Sequence, residues 1–197
     1  VVAKLGRPGV AQRQVRTKFA VPARMVAMDD IDSALVAELQ RDARQTNRDL
    51  ARAVGVAPST CLERVRLLRQ RGVIRGYTAR VDLPALGRRV QALVTVQIRP
   101  LNRMIIDNSH DSVLALPEVL AVFVLAGGDD FLVHVAVQDI EHLQAFLLDR
   151  FSQRREIAGF RSSVIYQHTS NQMIPALPDE PVAPKLSRVG RNDGGRR

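Results

Sequence analysis

"LARAVGVAPSTCLERVRLLRQRGVIRGY", residues 50–77, sets five arginines (Arg64, Arg66, Arg69, Arg71 and Arg75) around one acid, Glu63, yet keeps an apolar period throughout. Gly55 supplies a left-handed stop after Val54, and Pro58 suits the first turn of a new helix. That helix runs to about Arg71 and stops at Gly72. At about 100° per residue, Cys61, Leu62, Val65 and Leu68 share one face, and Thr60, Glu63, Arg64, Leu67 and Arg71 share the opposite one. The first face is predicted as core, which leaves the arginines on the exposed side and its flanks. Two short helices joined through a glycine turn make a helix-turn-helix, whose later helix fits the DNA major groove, about 12 Å wide.

The chain before this stretch supports the same unit. In "MDDIDSALVAELQRDAR", Ile31, Leu35 and Leu39 recur every four residues behind capping aspartates, which predicts a first helix. Thr46 and Asp49 stand in capping-box spacing ahead of Leu50, Ala51 and Val54. Residues 28–75 are thus read as the DNA-binding domain, of winged type, and residues 76–89 as a strand and hinge: "IRGYTARVDL" alternates loosely and "PALGRR" follows it.

Residues 90–173 then read strand, helix, strand, strand, helix, strand. Val90, Ala92, Val94, Val96 and Ile98 alternate, and residues 101–116 carry a helical pattern. "EVLAVFVLA" and "FLVHVAV" flank Gly127, Gly128, Asp129 and Asp130 as a hairpin. Asp139 caps "IEHLQAFLLDRF", and "FRSSVIYQHTS" closes as an alternating strand. The fold class expected is therefore α+β: a winged-type helix-turn-helix followed by a ferredoxin-like βαββαβ sandwich. The strands are apolar on both sides, more than one helix layer can hide, so a symmetric homodimer at least is expected. Residues 1–27 read as a disordered basic tail and 174–197 as a second disordered tail.

Charge narrows the partner. The chain carries a net +9, with eight arginines against Asp49 and Glu63 between residues 44 and 75, while residues 83–178 hold eight basic and nine acidic side chains. A polyanion surface therefore belongs to the first 82 residues, and double-stranded DNA is the expected partner. Ser59, Thr60, Glu63 and Arg64 are the expected base-edge readers, and Arg48, Arg52, Arg66, Arg69, Arg71 and Arg75 the expected phosphate contacts.

Enzyme chemistry finds little footing. Cys61, the single cysteine, belongs to the core face and leaves no intrachain disulfide, which with the absence of an apolar leader or span suggests the cytoplasm. His110, His134, His142 and His168 lack paired ligand spacing, and there is no phosphate-binding glycine loop, so no metal and no cofactor is expected. The alternative retained is an architectural DNA-wrapping protein that ignores metabolites.

"MDDIDSALVAELQRDARQTNRDLARAVGVAPSTCLERVRLLRQRGVIRGYTARVD" resembles the DNA-binding half of the Lrp/AsnC (feast/famine) bacterial transcription regulators, and the block after it is similar to that family's effector-sensing domain. The likeness covers about residues 28–173. It implies dimers that often assemble further into a tetramer or octamer, sequence-specific regulation, and an amino acid or related small molecule as effector. The family's G-x-x-D-[YF] loop stands here with Gly127, Asp130 and Phe131, and a hydroxyl residue of the last strand falls on Ser162. These four positions are implied as the effector site. Where that family usually has Ser before the recognition helix this chain has Ala57, so the helix cap is lost or moves to Ser59. A position late in that helix, usually basic, is Leu67.

Overall fold

The structure, a computed structural model, describes residues 28–177. The expected tail at 1–27 and residues 178–197 of the second one lie outside that range. The described chain divides into two compact units, residues 28–76 with 172–177, and Tyr77–Asn171.

The first unit is three helices around a small core. Helix α1 (Asp30–Arg41) starts where the Asp29 carboxylate accepts the Asp32 N–H at 2.7 Å, with Asp30 and Asp32 in the first turn favoured by the helix dipole. Helix α2 (Asn47–Val54) is capped by Thr46, whose hydroxyl accepts the Asp49 N–H and donates to its carboxylate at 2.6 Å. Gly55, at φ 75°, ends it. Three residues later α3 (Pro58–Gln70) begins without a side-chain cap on Ala57, so Ser59 does not take over that role. Leu35, Leu50, Ala51, Cys61 and Leu68 form the buried centre, flanked by Ile31, Val54, Val65, Val73 and Ile74. Cys61 is fully enclosed and burial pushes its thiol up, in keeping with a core residue.

Two expectations fail here. Leu62, assigned to the core face, is 61% exposed. With Cys61, Val65 and Leu68 inward, the wheel turns toward Leu68, and Leu62 falls on the outer side. The strand expected in 76–89 is also absent: residues 75–82 carry no regular structure and are exposed. A strand needs a neighbour for its N–H and C=O groups, and none is offered among the described residues. The helix-turn-helix therefore stands without a wing strand. The hinge becomes a short 3₁₀ turn, Pro84–Leu86, started by the Ala85 N–H on the Asp82 carboxylate at 3.0 Å and closed at Gly87 with φ 77°.

At the far end, residue 174 is not loose. The Gln40 side-chain amide donates to the Ile174 carbonyl at 3.2 Å and accepts its N–H at 2.7 Å, holding the returning chain on α1.

The second unit is the expected βαββαβ layer. Strands β1 (Val90–Ile98), β2 (Val119–Val124), β3 (Phe131–Val137) and β4 (Ile157–Val164) form one antiparallel sheet in the order β2-β3-β1-β4. Helices α4 (Arg103–Leu114) and α5 (Ile140–Leu147) start at Asn102 and Asp139, whose side chains accept N–H groups of the first turn. Ala92, Val94, Val96 and Ile98 of β1 and Phe131, Val133, Val135 and Val137 of β3 are buried against Val113, Leu143, Phe146 and Phe151. The alternate residues form the opposite face, where Leu93 lies beside His134 and Phe123 beside Leu132. Among the described residues no helix covers that face, and Phe123 is half exposed.

Candidate nucleic-acid interface and effector loop

Which arginines face outward is decided by α1. Asp32 is buried, and each of its carboxylate oxygens meets a guanidinium: Arg64 of α3 at 2.9 Å, and Arg71, the residue just after α3, at 2.9 Å. Arg64 also reaches the Asp29 carboxylate at 2.6 Å. The Asp32 N–H first and Arg64 second hold the Asp29 carboxyl below its ordinary range. Arg64, expected to read bases, and Arg71, expected on phosphates, are therefore placed as clamps between α1 and α3. Their partners lie 32 and 39 residues away, so no local pattern marks them.

The outward strip of α3 is formed instead by Ser59, Glu63, Arg66 and Gln70, spaced three or four residues apart, with Thr60 on its flank; all five are exposed. Arg66 is 3.9 Å from Glu63 with both side chains mostly in solvent, a pair of little energetic worth that a nucleic acid can displace. Leu62 and Leu67 flank the strip as exposed apolar groups of the kind that meet thymine methyls; Leu67 lies on the side expected for it, Leu62 does not. Arg48 is exposed on α2, and Arg52 pairs with Asp49 at 3.2 Å. The Asn47 side chain donates to the Pro58 carbonyl at 2.8 Å, fixing the start of α3 against α2.

In the second unit the glycine loop places its residues on different sides of the sheet. Asp130 is engaged inward: its carboxylate accepts the Ile98 N–H at 2.7 Å and meets Arg99 at 3.2 Å, while its own N–H donates to the Val96 carbonyl at 3.0 Å. It fastens the loop to the end of β1. Phe131, expected to touch an effector, is fully buried on the helix side, edge-on to His110 at 6.5 Å. Ser162 pairs with Val94 in register and so shares the helix-facing side, exposed at the sheet edge. Gly127 and Gly128 remain exposed at the loop tip.

The loop residue that reaches the open face is Asp129. Its carboxylate accepts from Arg161 at 2.9 Å and from the Gln97 amide at 3.3 Å. These residues, with Thr95, Gly159 and Phe160, line a cleft of about 160 Å³. The Thr95 hydroxyl oxygen is buried there without a partner among the described residues. Thr95, Gln97 and Arg161 were not singled out in the sequence, and Asp129 only as a residue of the hairpin turn. The signal exists only as register, since Thr95 sits opposite Arg161 and Gln97 opposite Gly159.

Among the described residues no group of His, Cys, Asp and Glu could hold a metal ion, and no helix is long and apolar enough to cross a membrane.

A three-helix head with an outward polar strip on its third helix, followed by a ferredoxin-like domain, defines a helix-turn-helix transcriptional regulator. Two family models match the chain, the AsnC-type helix-turn-helix domain over residues 28–69 and the Lrp/AsnC ligand binding domain over 91–174. The HTH-type transcriptional regulator AldR of Mycolicibacterium smegmatis is 40% identical over 141 residues, 72% of this chain and 82% of that protein. Transcriptional regulator AzlB of Bacillus subtilis is 31% identical over 140 residues, 71% and 89% of the two chains. Among solved structures, transcriptional regulator NMB0573 of Neisseria meningitidis, in complex with L-Met, aligns with a TM-score of 0.69 at 28% identity, covering 77% of this chain and 97% of that one. The chain belongs to the Lrp/AsnC family of DNA-binding transcriptional regulators.

Proposed function

We propose that this regulator reads its operator with the outward strip of α3. Ser59, Thr60, Glu63 and Arg66 meet base edges or the phosphates beside them, Leu62 and Leu67 pack on thymine methyls, and Arg48 and Arg52 hold flanking phosphates. Arg64 and Arg71 act one step removed, by fixing the angle at which α3 leaves α1. The observation that carries this reading is the position of Asp32, buried between the two guanidinium groups it holds. A second copy covers the open sheet face, where Phe123, Leu93 and Leu132 lie together, and the pair presents two heads to a pseudo-palindromic site.

The effector in this reading is an amino acid. A structural neighbour is described in complex with L-Met, and the cleft beside Gly127 and Asp130 pairs a carboxylate with a guanidinium. A zwitterion complements both: its ammonium meets Asp129, its carboxylate meets Arg161, and the Thr95 hydroxyl gains a partner. Gly127 and Asp130 shape the loop, and Phe131 supports it from the core. Cytoplasmic residence, and an absence of catalytic activity, belong to the same reading.

Two measurements test it. Titration of specific and scrambled duplexes at one fixed salt concentration should give a large affinity ratio; a ratio near unity supports the DNA-wrapping alternative. A thermal-shift screen of the amino acids should find one that stabilises the protein, and Arg161→Ala should abolish that shift.

A further inference from the structure

A separate cleft of about 520 Å³ opens at one end of the sheet, between α4 and the turn leading into β4. Ile105, Asn108, Ser109 and Ser112 stand three or four residues apart on α4 and face it together. The facing wall is the turn with Arg154 and Arg155, and Arg99 and Pro100 contribute the end of β1.

This wall is held in place before any ligand arrives. The Arg99 N–H donates to the Glu156 carbonyl at 2.8 Å, and the Ile157 N–H to the Arg154 carbonyl at 3.1 Å. The Arg154 guanidinium joins the two walls, donating to the Arg150 carbonyl at 2.9 Å and to the Ser112 hydroxyl at 2.6 Å.

Two donors are left over. Ser109 is only 4% exposed, yet it lines the cleft, and its hydroxyl makes no hydrogen bond among the described residues. Arg155 is exposed at the mouth and has no ion pair or hydrogen bond among those residues. Glu156, the one acid in the lining, is already 3.6 Å from Arg154. Three guanidinium groups, two hydroxyls and an amide therefore face one engaged carboxylate, and the space between them is walled by Ile105, Pro100 and arginine stems.

We propose that this cleft binds a small monocarboxylate with a short apolar body. The acid group takes the Arg155 guanidinium and the Ser109 hydroxyl, with Asn108 at its side, and Arg154 supplies a fixed positive wall. The apolar body lies against Ile105 and Pro100. With Arg154 paired to Glu156 and Arg99 to Asp130, the charge left over is that of Arg155, and one positive charge suits a monoanion better than a phosphate dianion. Arg99 lines the cleft and also meets Asp130, so the cleft and the glycine loop share one side chain. The cleft shares no lining residue with the one at Asp129 and Arg161, so this site stands whether or not an amino acid binds there.

The test is isothermal titration of the full chain with butanoate, its neutral isostere butanamide, and inorganic phosphate. Butanoate should bind saturably and butanamide should not. Arg155→Ala should weaken butanoate by about tenfold or more, as loss of a charge-assisted hydrogen bond does, and Arg155→Lys should restore part of it. Arg155 is exposed, so its variants test the site even if Ser109→Ala perturbs the fold. The proposal is overturned by absence of saturable butanoate binding, by equal binding of butanamide, by phosphate binding more tightly than butanoate, or by an Arg155→Ala protein that binds as the parent does.

Discussion

Asp32→Ala separates the two roles that arginine plays on α3. The carboxylate is 7% exposed and makes two charged hydrogen bonds of 2.9 Å, one to Arg64 and one to Arg71. Bonds of this type contribute roughly 1.5–3 kcal/mol each. The full sum is not lost, because Arg64 keeps its contact to Asp29 at 2.6 Å, and Arg71, 36% exposed, can turn to water. We therefore expect a loss of about 2–3 kcal/mol from the three-helix unit, which for so small a domain lowers its midpoint by roughly 8–24 °C. Far-UV circular dichroism during thermal and urea unfolding reads this, with the helical signal of residues 30–70 as the probe. Well below the new midpoint, the ratio of specific to scrambled DNA affinity should stay near that of the parent. Arg64→Ala should behave in the same direction. A variant of either kind that keeps its midpoint while losing base preference would refute the clamp and return Arg64 to the groove.

Phe131→Ala should cost about 3–5 kcal/mol, since the ring is fully buried, whereas Phe131→Leu should retain both fold and effector response; urea midpoints and the amino-acid thermal shift check the pair. Burial, and then the neighbouring charge of His168, hold His134 below the usual histidine range, so protonating it opposes folding. Stability should be intact above about pH 6.5 and fall as the pH drops through that value toward the folded pKa; His134→Gln, measured across the same pH series, should flatten the slope. Arg48→Ala should weaken specific and scrambled duplexes alike and reduce the salt slope by about one, while Arg66→Ala should cost roughly 1–3 kcal/mol if it meets a base and alter the specific duplex most, as competition binding at several salt concentrations would show.

How far the fold could be read before the structure varies with the range of the interaction. The α2–turn–α3 unit and the β-α-β-β-α-β order follow from spacing, from Gly55 and Pro58, and from alternation in β1, all features within a dozen residues. The face of α3 was harder, because Leu62 and Leu67 are both apolar and only the packing of Cys61 and Leu68 against Leu35 settles the rotation. Arg64 was read as a base reader from its place on the outward side of α3; its contact with Asp32, 32 residues away, is beyond the reach of any local pattern. At the glycine loop the motif was visible, but sidedness was not. Phe131 and Ser162 face the helix layer and Asp129 and Arg161 the other, a parity set by the pairing of β3 and of β4 with β1, both distant in the chain.

The reciprocal amide bonds between Gln40 and Ile174 make the sensing unit an insertion, since the chain leaves the DNA-binding head at Gly76 and comes home at Gln172. The chain therefore passes between the two units twice, at Gly76 and again at Gln172. A reporter fused behind Leu177 would likewise be anchored to the part that grips DNA, and cutting the second crossing, by a nick near Asn171, would leave the head tethered on one side only.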